Sequence, residues 1–149
     1  MIEFLTSIHP FVVHFAVAYT LATAFFDILD FLFRKKYFET AAFIISMLAL
    51  PFLLTAVLTG NLAGESLNKP EALILLQQHE TAANIAMWLF TASFVWRIFM
   101  VLKKQFTGWR KMIYLCVLSA AAISIFLAAQ KGGKIFHGGA GEHSAYIGK

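Results

Sequence analysis

The chain alternates four long apolar stretches with short polar breaks. The first runs from Pro10 to about Phe33 and stops at Arg34-Lys35-Lys36; the second runs from about Phe38 to Leu62, within an end reading Thr59-Gly60-Asn61-Leu62-Ala63-Gly64-Glu65. The third spans about His79 to Leu102, before Lys103-Lys104, and the fourth about Trp109 to Ala129, closed by Gln130-Lys131-Gly132-Gly133. Each matches the roughly 20 apolar residues with which a helix crosses hydrocarbon. Pro10 suits the first position of a helix, where its missing N–H costs nothing, and the residue before a proline is pushed toward extended backbone. His9 is therefore expected outside the helix. Pro51 predicts a kink in the second helix. A polar connection, Ser66-Leu67-Asn68-Lys69-Pro70, leads into Glu71 to Gln78, amphipathic enough for the membrane interface. Gly132-Gly133 reads as a helix terminator, and the tail 130–149 shows no periodicity. With no internal repeat, residues 1–149 read as one domain.

Composition sharpens this picture. Of 149 residues, 60% are hydrophobic and 13% charged, with a mean hydropathy of +0.73; a soluble domain carries about a quarter charged residues. The reading is an integral membrane protein of all-α class. The single cysteine, Cys116, lies inside an apolar run, which excludes an intrachain disulfide, a cysteine-based zinc site and an iron–sulfur ligand set. Met1-Ile2-Glu3-Phe4 lacks the basic start and small-residue cleavage site of a signal peptide, so the first helix is expected in the mature protein. The net charge of +4 resides at helix ends, where it signals membrane orientation rather than nucleic-acid binding.

Short connections predict an antiparallel four-transmembrane-helix bundle with both termini on one side. Arg34, Lys35, Lys36, Lys103, Lys104, Arg110 and Lys111 flank the two short loops. The positive-inside rule makes those loops cytoplasmic and both termini outer. The expected location is a bacterial or archaeal inner membrane, with the termini in the periplasm of a bacterium.

Depth then assigns chemistry. Asp27 and Arg97 lie roughly two turns or less from the basic ends of helices 1 and 3. They are expected to form a structural ion pair, with a proton path or switch as the functional alternative. Asp30 and Arg34, four residues apart, read as a local pair. His9, His14, His79 and His137 all fall at the opposite end, with His143 in the tail. Gly60 and Gly64 of helix 2 would let a flat cofactor or a helix approach closely.

Several imidazoles at a bundle end, without cysteine and with few carboxylates, point to b-type haem, which takes two axial imidazoles in an apolar pocket. Phe11, Phe15, Phe136 and Trp88 are candidate walls, and Lys131 and Lys134 candidate propionate partners. His14, the deepest of the four, pairs first with His79; His9 and His137 are then hydrogen-bonding neighbours or a second ligand pair. The alternative cofactor is non-haem Fe, Cu or Zn on three or four histidines with Glu80 or Glu65. His79-Glu80-Thr81-Ala82-Ala83 lacks the second histidine of a zinc protease helix. A cofactor-free accessory or assembly subunit is the reading from another class.

The start His9-Pro10-Phe11-Val12-Val13-His14-Phe15, the Thr59-Gly60 and Gly64-Glu65 end of helix 2, the lone His79, and Gly132-Gly133-Lys134-Ile135-Phe136-His137-Gly138 together resemble the bacterial and archaeal membrane family catalogued as domain of unknown function 2231. The resemblance covers almost the whole chain; Ala16 stands where such proteins often have proline. It implies that His9, His14, His79 and His137 match recurrent histidines of the family, and that some relatives are joined to Rieske-type iron–sulfur domains. The function expected is a haem electron carrier at the periplasmic face. It would work between a quinol or membrane partner and a periplasmic redox or iron–sulfur protein, as a subunit rather than an enzyme on its own. Small residues on the helix faces make a homodimer or larger complex plausible.

Overall fold

A computed structural model describes the backbone of residues 2–64 and 70–146 and the side chains of residues 7–62, 64 and 73–135. It is all helical over these residues, with α1 Ile2–Phe33, α2 Lys36–Gly64, α3 Pro70–Leu102 and α4 Gly108–Tyr146. Each of the four contains a segment long and apolar enough to cross a membrane: Ser7–Phe33, Lys36–Leu62, Leu73–Leu102 and Gly108–Ile135.

Three helices run further than their apolar stretches. Helix α1 begins eight residues before Pro10 (10 − 2 = 8), so His9 is helical rather than extended. Proline deletes one hydrogen bond, but the helical residues 2–9 before it and 11–33 after it hold the helical path. Helix α3 starts at Pro70, so Glu71 to Gln78 continue into the spanning helix rather than forming a separate segment. Helix α4 passes through Gly132-Gly133 to Tyr146, correcting the expected stop at 129. Helix α1 ends where Arg34 takes a left-handed φ of 53°, with its N–H bonded to the Asp30 carbonyl at 2.8 Å. Glu65 and the connection 66–69 lie outside the described residues.

Buried positions recur at spacings of three and four: 16, 20, 23, 27 and 30 on α1; 42, 46, 49, 53 and 56 on α2; 86, 90, 93, 97 and 100 on α3; 114, 118, 121, 125 and 128 on α4. That register packs helices at shallow crossing angles with interlocking side chains. The interior it builds is small and polar, with Ala16, Thr20, Thr23, Asp27, Ala42, Ser46, Ala49, Ala86, Ser93, Arg97 and Ala121 all buried. Leu53, Phe90, Leu118 and Ile125 are buried among them, while many other large apolar side chains point outward, including Phe25, Leu58, Trp88, Val95 and Ile123. A bilayer reverses the reason for burying leucine, because lipid already solvates it, and leaves the interior to close packing and to polar groups. Aromatic contacts join α1 to α2: Phe15 stacks on Phe52 with centroids 5.2 Å apart, and Phe26 meets Phe38 at 6.2 Å.

Candidate functional site

Two clusters of polar side chains lie inside the bundle. The first gathers His9 of α1 and His79 of α3 around one cavity, whose wall is completed by Gly60, Asn61 and Glu80 and otherwise by small apolar residues such as Ala16, Ala56, Ala83 and Ala128. The enclosed space is about 30 Å³, and the cleft with its open mouth takes in about 460 Å³.

Each imidazole is seated the same way. His9 rests against α2: a Cβ at position 60 would lie 2.9 Å from His9 Cε1, closer than carbon atoms approach, so only glycine admits the ring. His79 rests against α4, where a Cβ at position 132 would lie 3.0 Å from its Cε1. The third such approach is Gly64, where a Cβ would fall 2.5 Å from Glu80 Oε1.

Hydrogen bonding then fixes the His79 tautomer. His79 Nδ1 lies 2.8 Å from the Ala128 carbonyl, which can only accept, so Nδ1 carries the proton. His9 Nδ1 lies 2.9 Å from Thr59 Oγ1. The Thr59 hydroxyl also contacts the Thr55 and Ala56 carbonyls at 2.8 and 3.2 Å, so this contact holds the His9 ring in place with either partner donating. The His79 ring, when neutral, holds its lone pair on Nε2. A metal-ligating histidine is oriented in this manner, with its other nitrogen donating to a carbonyl or other acceptor.

His14 is not part of this cavity. Its side chain is exposed, and its Nδ1 contacts the Pro10 carbonyl one turn back on the same helix. With α1 continuous through Pro10, five residues at 100° each turn His14 about 140° away from His9. The structure thus brings His9, not His14, to the cavity with His79. The side chains of His137, His143 and Phe136 lie outside the described residues. Phe11 and Trp88, candidate cofactor walls, are exposed at 64% and 68%; Phe15 packs on Phe52. Lys131 donates to Gln78 Oε1 at 2.8 Å. Among the described residues no group of three or more His, Cys, Asp or Glu is placed to hold a metal ion.

The second cluster centres on Arg97, which is fully buried. Its Nη1 donates to Asp27 Oδ2 at 2.6 Å and to the Tyr114 hydroxyl oxygen at 2.9 Å, and its Nη2 donates to the Glu39 carbonyl at 2.8 Å. Tyr114 in turn donates to Asp27 Oδ2 at 2.6 Å. The guanidinium also lies over the rings of Phe43, Phe106 and Tyr114 at 5.2 to 5.5 Å. One side chain of α3 thereby touches α1, α2 and α4. Asp30, expected to pair with Arg34, pairs instead with Lys111 of α4, because its carboxylate points inward while Arg34 leaves the helix. Tyr114 is not singled out as a partner of this pair by sequence, since it carries no charge that spacing could match; it shares the inner face of α4 with Leu118, four residues on.

The sequence profile of a predicted membrane protein family, DUF2231, matches residues 5–140. The chain belongs to this family. The match takes in all four spans and both clusters. No curated protein and no solved structure matches the chain.

Proposed function

We propose that this DUF2231 protein is a membrane-bound b-type haem protein that carries electrons at the periplasmic face, with His9 and His79 as the iron ligands. The observation that carries this reading is the pair of imidazoles from α1 and α3 that line one cavity, each held at Nδ1 by a neighbouring helix. The bundle would be antiparallel with both termini outside, as the basic residues at the short connections favour, which sets the histidine cavity on the outer side. There the protein would exchange electrons with a quinol or membrane partner and with a periplasmic redox protein.

Two imidazoles fit the axial ligand set of haem, while the room beside Gly60 and Gly132 is taken by the His9 and His79 rings themselves. The enclosed 30 Å³ is far below the roughly 300–1,000 Å³ typical of cofactor sites and does not hold a macrocycle. Haem held by His9 and His79 would require the helices around this cavity to separate. Bound there, it supplies one-electron transfer at a potential set by two imidazoles. The small volume favours a second reading, a single Fe, Cu or Zn ion on His9 and His79, beside Glu80 and Asn61.

A reduced-minus-oxidised spectrum and a pyridine haemochrome assay on the purified protein test this. A Soret and α band is expected, lost in both His9→Ala and His79→Ala and kept in His14→Ala. Absence of haem, with about one metal ion per chain that either substitution removes, would replace the first reading with the second. Absence of both would leave an accessory subunit.

A further inference from the structure

The Arg97 cluster takes no part in the reading above, and it is incompletely bonded. Among the described residues, the buried side-chain polar atoms without a hydrogen-bond partner are Thr20 Oγ1, Asp27 Oδ1, Thr91 Oγ1 and Arg97 Nε. They do not scatter. Thr20 and Asp27 share the inner face of α1, and Thr91 and Arg97 lie on α3. The Asp27–Arg97 contact spans 70 positions, and His9 and His79 (79 − 9 = 70) meet at one cavity. That constant offset places Thr20 level with Phe90, next to Thr91. Asp27 Oδ1 and Arg97 Nε belong to the ion pair itself, and Thr20 Oγ1 lies about two turns from it along α1, toward the histidine cavity.

Buried donors and acceptors are rarely left empty, and ordered water is the usual occupant where protein offers no partner. The stretch between them is suited to water. Thr23, Ser46 and Ser93 are buried and donate to carbonyls of their own helices, Tyr19, Phe43 and Leu89, at 2.7 to 2.8 Å. Their oxygens remain able to accept from water. The cavity reaches Ala16, one turn from Thr20. At the other end Asp30, three residues from Asp27, is paired with Lys111, whose side chain is 15% exposed.

We propose that this interior conducts protons, with Asp27 taking up and releasing each proton along a file of water and hydroxyls between the Asp30–Lys111 end and the histidine cavity. A proton arriving from the Asp30 side forms an O–H bond at Asp27 Oδ1 and neutralises the carboxylate. The same O–H bond then breaks toward water on the Thr23 and Thr20 side, and the charge leaves through the cavity. One proton enters and one leaves, no electron moves, and Tyr114 and Arg97 keep their protons at Oδ2. The charged and titratable groups around Asp27 are Asp30 on the same helix, Arg97 on α3, and Tyr114 and Lys111 on α4; Glu39 of α2 contributes its carbonyl. Phe90, 1% exposed, is a bulky buried side chain that the offset of 70 sets level with Thr20, where it would restrict the file.

The full chain, reconstituted in liposomes with entrapped pyranine, is tested under a potassium diffusion potential set by valinomycin. Proton flux above that of protein-free vesicles is expected, raised in Phe90→Ala, lowered in Thr20→Val, lost in Asp27→Asn and kept in Asp27→Glu. Circular dichroism and gel filtration verify folding; should Asp27→Asn not fold, Thr20→Val and Phe90→Ala decide, since neither touches the ion pair. Flux no higher than in empty vesicles for both wild type and Phe90→Ala overturns the proposal. So does flux that is unchanged in Asp27→Asn, or unchanged in Thr20→Val. The readout needs no chromophore, so its failure is distinct from failure of the haem reading.

Discussion

At the scale of single residues, the bundle's chemistry depends on what glycine leaves out. Gly60 and Gly132 each make room for one imidazole edge. Gly60→Ala sets two terms against each other. Alanine gains about 1 kcal/mol of helix propensity over glycine, while a Cβ pushes the His9 ring off Thr59 and forfeits a hydrogen bond of about 0.5–1.5 kcal/mol. The expected result is a thermal midpoint close to wild type but a displaced imidazole, visible as altered histidine ring nitrogen resonances and reduced cofactor content. Gly133 is the control. It has nothing within 4 Å of an added Cβ and no left-handed φ, so Gly133→Ala should stabilise the folded protein by about 0.5–1 kcal/mol, read as a higher midpoint by circular dichroism in detergent. The neighbouring glycines thus separate by what faces them. Sequence alone read the pair as a terminator, because the ring packed on Gly132 comes from another helix.

At the scale of elements, the apolar runs located the four helices, since hydropathy reports the part of a helix that meets lipid. It could not report where the helices end. The amphipathic start 70–78 and the polar run 130–146 both continue spanning helices, α3 and α4, and for the second nothing in hydropathy distinguishes an exposed polar helix from a polar loop. The same limit misplaced His9. Treating Pro10 as a helix start made His14 the inward ligand candidate, whereas a helix already running from Ile2 rotates His9 inward and His14 toward lipid. A cofactor assay on His14→Ala against His9→Ala separates these arrangements directly. Depth counting served better for Asp27 and Arg97, because both were measured from basic residues that end their spans. Their partners Tyr114 and the Glu39 carbonyl were not legible, since neither carries a charge that sequence spacing could match.

At the scale of the whole molecule, Arg97 is the one buried side chain described as hydrogen-bonded or ion-paired to three other helices, so it holds the assembly as a unit. Removing one partner of a buried ion pair costs about 3–5 kcal/mol, because the other charge is left uncompensated, whereas replacing both with apolar residues is often neutral. Arg97→Met should therefore destabilise the bundle by about that amount, and Asp27→Leu combined with Arg97→Met should recover much of it. A double-mutant cycle by denaturant unfolding in detergent checks this; additive losses would show that the pair is not coupled. The recovered double mutant then bears on function, for it keeps the fold while removing the proton-accepting carboxylate. Orientation is the remaining property of the whole. With Cys116 replaced by serine, Lys134→Cys should react with a membrane-impermeant maleimide in intact spheroplasts and Lys104→Cys only in inverted vesicles. The opposite pattern would put the histidine cavity on the cytoplasmic side and rule out a periplasmic redox partner, while leaving the His9 and His79 geometry untouched.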